Sequence, residues 1–315
     1  MDNNWLVGID LGGTKTEVIL IDLKTGEHFR KRMPTPAGDY PATLETIRAL
    51  VSEAEVQAGV SGIPVGVAIP GSVSGLTGRV KNGNSTWLNG QSMQDDLGAL
   101  LQRPVTLTND ANCLALSEAT DGAGQNHNVV FAAILGTGCG AGISVDGQIL
   151  SGPNGVAGEW GHNPLAWTSQ AELALRPCFC GRYGCNETFL SGTGLSTTHK
   201  LLTGQQRSAH TITEHAKDTS NAAAETLTQY LDHLARGLAA VINVLDPDII
   251  VLGGGMSNAE QIYRELPSRL PAYVFGGECS TPVVKAMHGD SSGVRGAAWL
   301  ARPMTPKNYA QKNGI

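Results

Sequence analysis

Two stretches of this chain share one layout, an apolar run, a glycine-rich turn and a second apolar run, and that layout limits the fold more than any other feature. The first is NWLVGIDLGGTKTEVILID at 4–22 and the second is NVVFAAILGTGCGAGISV at 128–145. Apolar runs of this length, rich in valine and isoleucine and split by glycines, read as paired strands. Strands of this kind need helices or a second sheet laid over them. The first pair continues past the turn KTG into a third strand, which makes a β-meander. Helices follow where apolar residues recur at helical spacing. Leu44, Ile47, Leu50 and Val51 mark one that stops at Gly59, and Leu227, Leu231, Leu234, Leu238, Val241, Ile242 and Leu245 mark another over 222–245. IPVGVAIPG and PVTLTND read as strands, while SMQDDLGALLQR and ANCLALSEATDG read as helices, the latter capped by Asn109 or Asp110. IIVLGGGMSN is a buried strand entering a third glycine turn. The alternation predicts an α/β chain of two related halves: an N-terminal domain over 1–112, a larger C-terminal domain over 113–292 with a cleft between them, and a C-terminal helix over 293–315 that returns to the first domain.

Composition narrows the function classes. The net charge of −6 comes from 22 basic and 28 acidic residues, and no cluster of lysine or arginine interrupts the balance, so nucleic acid is not an expected partner. No apolar run approaches the ~20 residues of a spanning helix, so a membrane is not expected either. The N-terminus MDNNWLVGID lacks a charged segment followed by a long apolar one, which places the chain in the cytoplasm, where thiols stay reduced. What remains is small-molecule chemistry, and the 40 glycines, clustered rather than spread, point to tight turns that hold a ligand.

Three such turns stand out. GIDLGGTKT departs from the phosphate-loop pattern, because Thr14 follows the second required glycine and a strand follows the turn. A glycine hairpin still aims successive backbone N–H groups at an anion. Gly12, Gly13, Thr14 and Lys15 are the candidate nucleotide contacts here, Thr16 adds a hydroxyl, and Asp10 at the strand end holds magnesium through water. GTGCGAG supplies Gly136, Thr137 and Gly138 as a second phosphate-cradling hairpin, and Gly254 and Gly255 in LGGGMS let a sugar or base approach the backbone.

RPCFCGRYGCNET gathers three of the six cysteines, Cys178, Cys180 and Cys185. In a reducing compartment three thiolates suit a tetrahedral zinc, which needs a fourth ligand. The candidates are His162 in GEWGHNP upstream, whose glycine-rich segment could fold back toward the cluster, and His199 or His210 downstream.

DLGGTK, NDAN, GTGCGAG, GEWGH, CFCGRYGCNE and VLGGG, in that order, resemble the ROK family of sugar kinases and repressors. VKNGNSTWLNG, GEWGHNPLAW and ETFLSGTG are most similar to its bacterial fructokinases that also accept mannose. The resemblance implies a two-domain actin-like ATPase (ribonuclease H-like) fold, with ATP and sugar in the interdomain cleft. It implies Asp110 as catalytic base, and Asn109, Asp110, Glu159, His162 and Glu187 as hexose contacts. It also implies a structural zinc held by His162, Cys178, Cys180 and Cys185, and a homodimer. The expected reaction is ATP-dependent phosphorylation of a hexose, D-fructose to D-fructose 6-phosphate. Glucose or an N-acetylhexosamine is the rival substrate, and a non-catalytic sugar sensor is the rival class. The family's repressors carry a helix-turn-helix ahead of this fold, and none is expected here because GIDLGGTK begins at residue 8.

Overall fold

The computed structural model describes residues 4–302, apart from residue 219 and the side chain of residue 290. The described residues up to Cys113, together with those from Gly293 on, form one compact unit; Leu114–Ser292 form the other.

In the first unit Trp5–Leu11 (β1) and Lys15–Asp22 (β2) pair antiparallel from Trp5↔Asp22 to Leu11↔Thr16. Gly26–Pro34 (β3) adds the edge, and its charged residues stay largely in solvent, which blunts that edge against further pairing. Tyr40–Ala58 (α1) starts where Asp39 accepts a hydrogen bond from the Ala42 amide and ends at Gly59 in the left-handed conformation. It buries Ile47, Leu50, Val51 and Ala54 on the sheet. Val65–Ile69 (β4) follows, then a small ribbon of Ser72–Val73 (β5) and Val80–Lys81 (β6), the helix Met93–Leu101 (α2), the strand Val105–Asn109 (β7) and the helix Asp110–Asp121 (α3), whose residues from Leu114 on belong to the second unit. The sheet order is β3-β2-β1-β4-β7, with β1, β4 and β7 parallel.

The second unit repeats this plan. Val129–Leu135 (β8) and Cys139–Val145 (β9) form the antiparallel hairpin, and Gln148–Ile149 (β10) lies outside β9. The helices Gln170–Ala174 (α4), Glu187–Leu190 (α5), Gly192–Thr203 (α6), Ala209–His215 (α7) and Ala222–Leu245 (α8) come next. Ile249–Gly253 (β11), Glu260–Arg269 (α9) and Val283–Lys285 (β12) complete the unit. The order β10-β9-β8-β11-β12 matches the first sheet strand for strand, including which pairs are parallel. α8 matches the expected 222–245, and its buried face of Leu227, Leu231, Leu234 and Leu238 joins Phe131, Leu190 and Leu252 in the largest core cluster.

Ser292–Leu300 (α10) carries the described part of the expected C-terminal helix; 303–315 lie outside the described residues. Its seat is made by Gly8 and Gly66, register partners on β1 and β4. A Cβ at either would collide with the backbone of α10, at Val294 and at Ala297. The helices α4, α6, α7 and α9 and the strand β12 were not expected from the sequence. α6 in particular is glycine- and threonine-rich, and it forms because Ser191 caps it and Leu195, Thr198 and His199 are buried.

Candidate functional site

In the first unit, two of the three parallel strands, β1 and β7, deliver chemistry at their carboxyl ends, where open α/β sheets hold ligands. Asp10 is next to last in β1, in register with Ala68, while Asn109 ends β7 opposite Ile69 and Asp110 opens α3. The Asn109 carboxamide accepts the Asn112 amide at 2.8 Å, so the helix cap is Asn109 rather than Asp110. Asp110 is exposed, and one carboxylate oxygen accepts the adjoining Ala111 amide. Asp10 is half-buried by its own surface yet ringed by protein atoms. Burial, then the nearby Asp110 carboxylate, then Glu17 push it up to about 7, against the opposing pull of Lys15 and Arg32. Glu17 faces Asp10 across β1–β2 and is held by Arg30 at 3.2 Å and Arg32 at 2.8 Å. A carboxyl group whose ionisation is opposed by neighbouring carboxylates is a fitting seat for a divalent cation.

The turn after Asp10 is braced from behind. Gly12 N–H donates to the Lys15 carbonyl at 2.9 Å, and the Thr35 hydroxyl donates to the Gly12 carbonyl at 2.8 Å. Gly13, Thr14 and Lys15 are exposed. Thr16 corrects the sequence expectation: its hydroxyl is fully buried and donates to Thr35 at 2.9 Å, so it braces the hairpin and is not offered to a ligand. Thr35, some twenty residues along the chain, carried no sequence signal.

In the second unit the Gly136–Gly138 turn closes with Gly136 N–H donating to the Gly138 carbonyl at 3.0 Å. Gly254 (φ 80°) sits against it so closely that a Cβ would lie 2.7 Å from the Leu135 carbonyl. Beside this turn opens a cavity of about 1260 Å³, room for a nucleotide-sized ligand. Gly136, Thr137 and Gly255 line it, as do Gly192, Thr193, Ser196, Lys217, Asn258, Gln261 and Arg264, none of which the sequence reading had picked out, and His210, which it had weighed only as a metal ligand. Gly138 and Gly254 are not among the lining residues; Gly138 instead packs against the Glu187 carboxylate, which accepts the Cys139 amide at 3.1 Å.

Near Glu187 lies the cysteine cluster. His162 closes a short 3-10 turn, Glu159–His162, anchored by the buried Trp160, whose indole N–H donates to the Gly237 carbonyl at 3.1 Å. Cys178, Cys180 and Cys185 come from a hairpin in which Cys178 N–H donates to the Arg182 carbonyl at 2.8 Å. The four side chains offer ligand atoms all within 4.8 Å of one another, while His199 and His210 are not in the group. Cys178 Sγ lies 3.6 Å from His162 Nδ1 and Cys180 Sγ lies 3.6 Å from Cys185 Sγ. A tetrahedron with metal–sulfur bonds of ~2.3 Å has edges of roughly 3.8 Å, so the donor set fits zinc. Glu187 Oε1 is 4.0 Å from Cys178 Sγ, and Glu159 opens the turn that His162 ends. Glu159, His162 and Glu187 thus cluster around one loop system. Among the described residues no helix is long and apolar enough to cross a membrane.

Comparison with known proteins agrees with this architecture. The ROK family model matches residues 6–304, and the chain belongs to that family. It is a ROK sugar kinase with the α/β actin-like ATPase fold. The N-acetyl-D-glucosamine kinase of Yersinia pseudotuberculosis serotype O:3 is 41% identical over 297 residues, covering 93% of this chain and 97% of that one. An N-acetylgalactosamine kinase of Shewanella sp. strain ANA-3 is 38% identical over 93% of this chain and 95% of its own. The crystal structure of a ROK hexokinase from Thermus thermophilus superposes with a TM-score of 0.83 at 28% identity, covering 99% of this chain and 100% of that one. The Yersinia and Shewanella kinases are named for N-acetylhexosamines rather than for fructose, the sugar expected from the sequence.

Proposed function

We propose that this chain transfers the γ-phosphoryl group of ATP to the 6-hydroxyl of an N-acetylhexosamine, N-acetylglucosamine foremost. The observation that carries the sugar is the 41% identity, over nearly the whole of both chains, to an N-acetyl-D-glucosamine kinase. The chemistry is supported by the site residues. Phosphoryl transfer needs a base for the acceptor hydroxyl, charge neutralisation on the phosphates and a fixed geometry. Asp110, exposed at a helix start beside Asp10, is the base: it takes the proton as the O6–phosphorus bond forms and the bond to the leaving ADP breaks. Asp10 holds the magnesium that neutralises phosphate charge. Gly12–Lys15, Gly136–Gly138 and Gly254–Gly255 serve the nucleotide, and Asn109, Glu159, His162 and Glu187 the sugar. A zinc on His162 Nδ1 and the three cysteines would have every position filled by protein, so its contribution is structural. It leaves the other ring nitrogen of His162 for a sugar hydroxyl.

Fructose is the second reading, favoured by GEWGHNPLAW and ETFLSGTG. The deciding test is a coupled ADP-release assay over N-acetylglucosamine, N-acetylgalactosamine, N-acetylmannosamine, glucose, mannose and fructose, with the product's phosphate position read by NMR. An N-acetylhexosamine 6-phosphate is expected. Turnover confined to fructose or mannose would reverse the assignment.

A further inference from the structure

Arg176 lies two residues before the first cysteine of the cluster, and it is only 4% exposed. No carboxylate meets its guanidinium at ion-pair distance among the described residues. One nitrogen donates to the Thr188 carbonyl at 2.7 Å and the Gly194 carbonyl at 3.1 Å, the other donates to the Thr198 hydroxyl at 2.7 Å, and the plane lies 4.5 Å over the Phe189 ring. A buried cation with no carboxylate in direct contact costs stability, and an apolar side chain would fill the same volume without that cost. What the guanidinium does that an apolar group cannot is tie three acceptors on α5 and α6 into one rigid piece. Its own carbonyl accepts the Gly184 amide at 2.8 Å, so the same residue also holds the cysteine hairpin.

The far side of that piece grips the glycine turn. Gly192 N–H donates to the Gly136 carbonyl at 2.7 Å, and the Thr193 hydroxyl donates to the Thr137 carbonyl at 2.9 Å. In a trans peptide the carbonyl and the following N–H point opposite ways. With both carbonyls pinned toward α6, the N–H groups of Thr137 and Gly138 are turned away from α6 as two successive anion donors.

We infer that Arg176 is a positioning residue for phosphate binding: it fixes the start of α6, which fixes the peptide planes whose amides receive the nucleotide's phosphates. This rests on the nucleotide reading proposed above. The test is titration of a non-hydrolysable ATP analogue and, separately, of adenosine into wild type, Arg176→Met, Arg176→Lys and Thr198→Val, each well below its melting temperature. Arg176→Met is expected to weaken the ATP analogue roughly tenfold, the scale of one charge-assisted hydrogen bond, while adenosine affinity holds. Arg176→Lys, which keeps the charge but not the fork, is expected to fall between. Thr198→Val removes one acceptor and is expected to shift the ratio the same way by less, and it decides the matter if Arg176→Met does not fold. Equal loss of both ligands, or an unchanged ATP analogue in folded variants, would overturn the positioning role alone. A wild type that binds neither nucleotide nor nucleoside would overturn the functional reading as well.

Discussion

Asp110 and Asp10 stand at the ends of parallel strands in one unit, yet their surroundings give them different work. Asp110 is exposed and free of the capping duty that Asn109 performs, as a base facing a substrate hydroxyl should be. Asp110→Asn should therefore lower kcat by roughly a hundredfold or more while sugar and nucleotide still bind, which steady-state kinetics and calorimetry will show. Near-normal turnover would remove Asp110 from the mechanism. Asp10 has a folded-state pKa of about 7 against an ordinary value of 3.8. Between those values the folded chain keeps a proton that the unfolded chain has released, so metal-free stability falls as pH rises from about 4 to about 7. Asp10→Asn abolishes that slope, and its melting temperature relative to wild type should climb between about pH 4 and pH 7 in chelator and level off above. Parallel profiles for the two proteins would show that the Asp10 charge carries no such cost.

At the scale of elements, the cysteine hairpin and the end of β11 are the most sensitive. Freshly purified protein should carry about one zinc per chain, and Cys180→Ala should lose it together with thermal stability, because a closed ligand set couples metal binding to local folding. Metal analysis that finds no zinc in chelator-free protein would refute this. His162→Gln should weaken sugar binding as well, if one ring serves both metal and hydroxyl. Gly254 offers a purely conformational test. At φ 80° and ψ 174° it occupies backbone space nearly closed to other residues, and an added Cβ meets the Leu135 carbonyl. Gly254→Ala should cost on the order of 2–3 kcal/mol in urea unfolding, with little change if the turn simply relaxes. The hairpins β1–β2 and β8–β9 and the helix α8 were legible because each carries its own period or turn signal. α6 was not, since its glycines and threonines argue against helix, and it rests on the Ser191 cap and on contacts made across the fold, with α8 among them.

For the whole molecule, the repeated sheet order shows why two stretches with a common layout but different letters foretold two related halves. Local chemistry was partly legible: the cysteine spacing marked three of the four side chains whose donor atoms the fold brings within 4.8 Å, and the family resemblance marked the fourth, His162. What the sequence hid were contacts made across distance in the chain. Thr193 reaches the Thr137 carbonyl over 56 positions, Thr35 reaches Gly12 over 23, and Thr16 turns inward because β3 is beside it. Sugar preference is hidden for a further reason, since one hydroxyl or acetamido group separates the candidates and a few pocket contacts decide between them. The most direct measurement is therefore a competition. With equimolar N-acetylglucosamine and fructose, limiting ATP and magnesium, the ratio of phosphorylated products gives the ratio of kcat/KM. The account predicts N-acetylglucosamine 6-phosphate in at least tenfold excess, the discrimination that groups of this size ordinarily allow. Fructose 6-phosphate as the main product would contradict it.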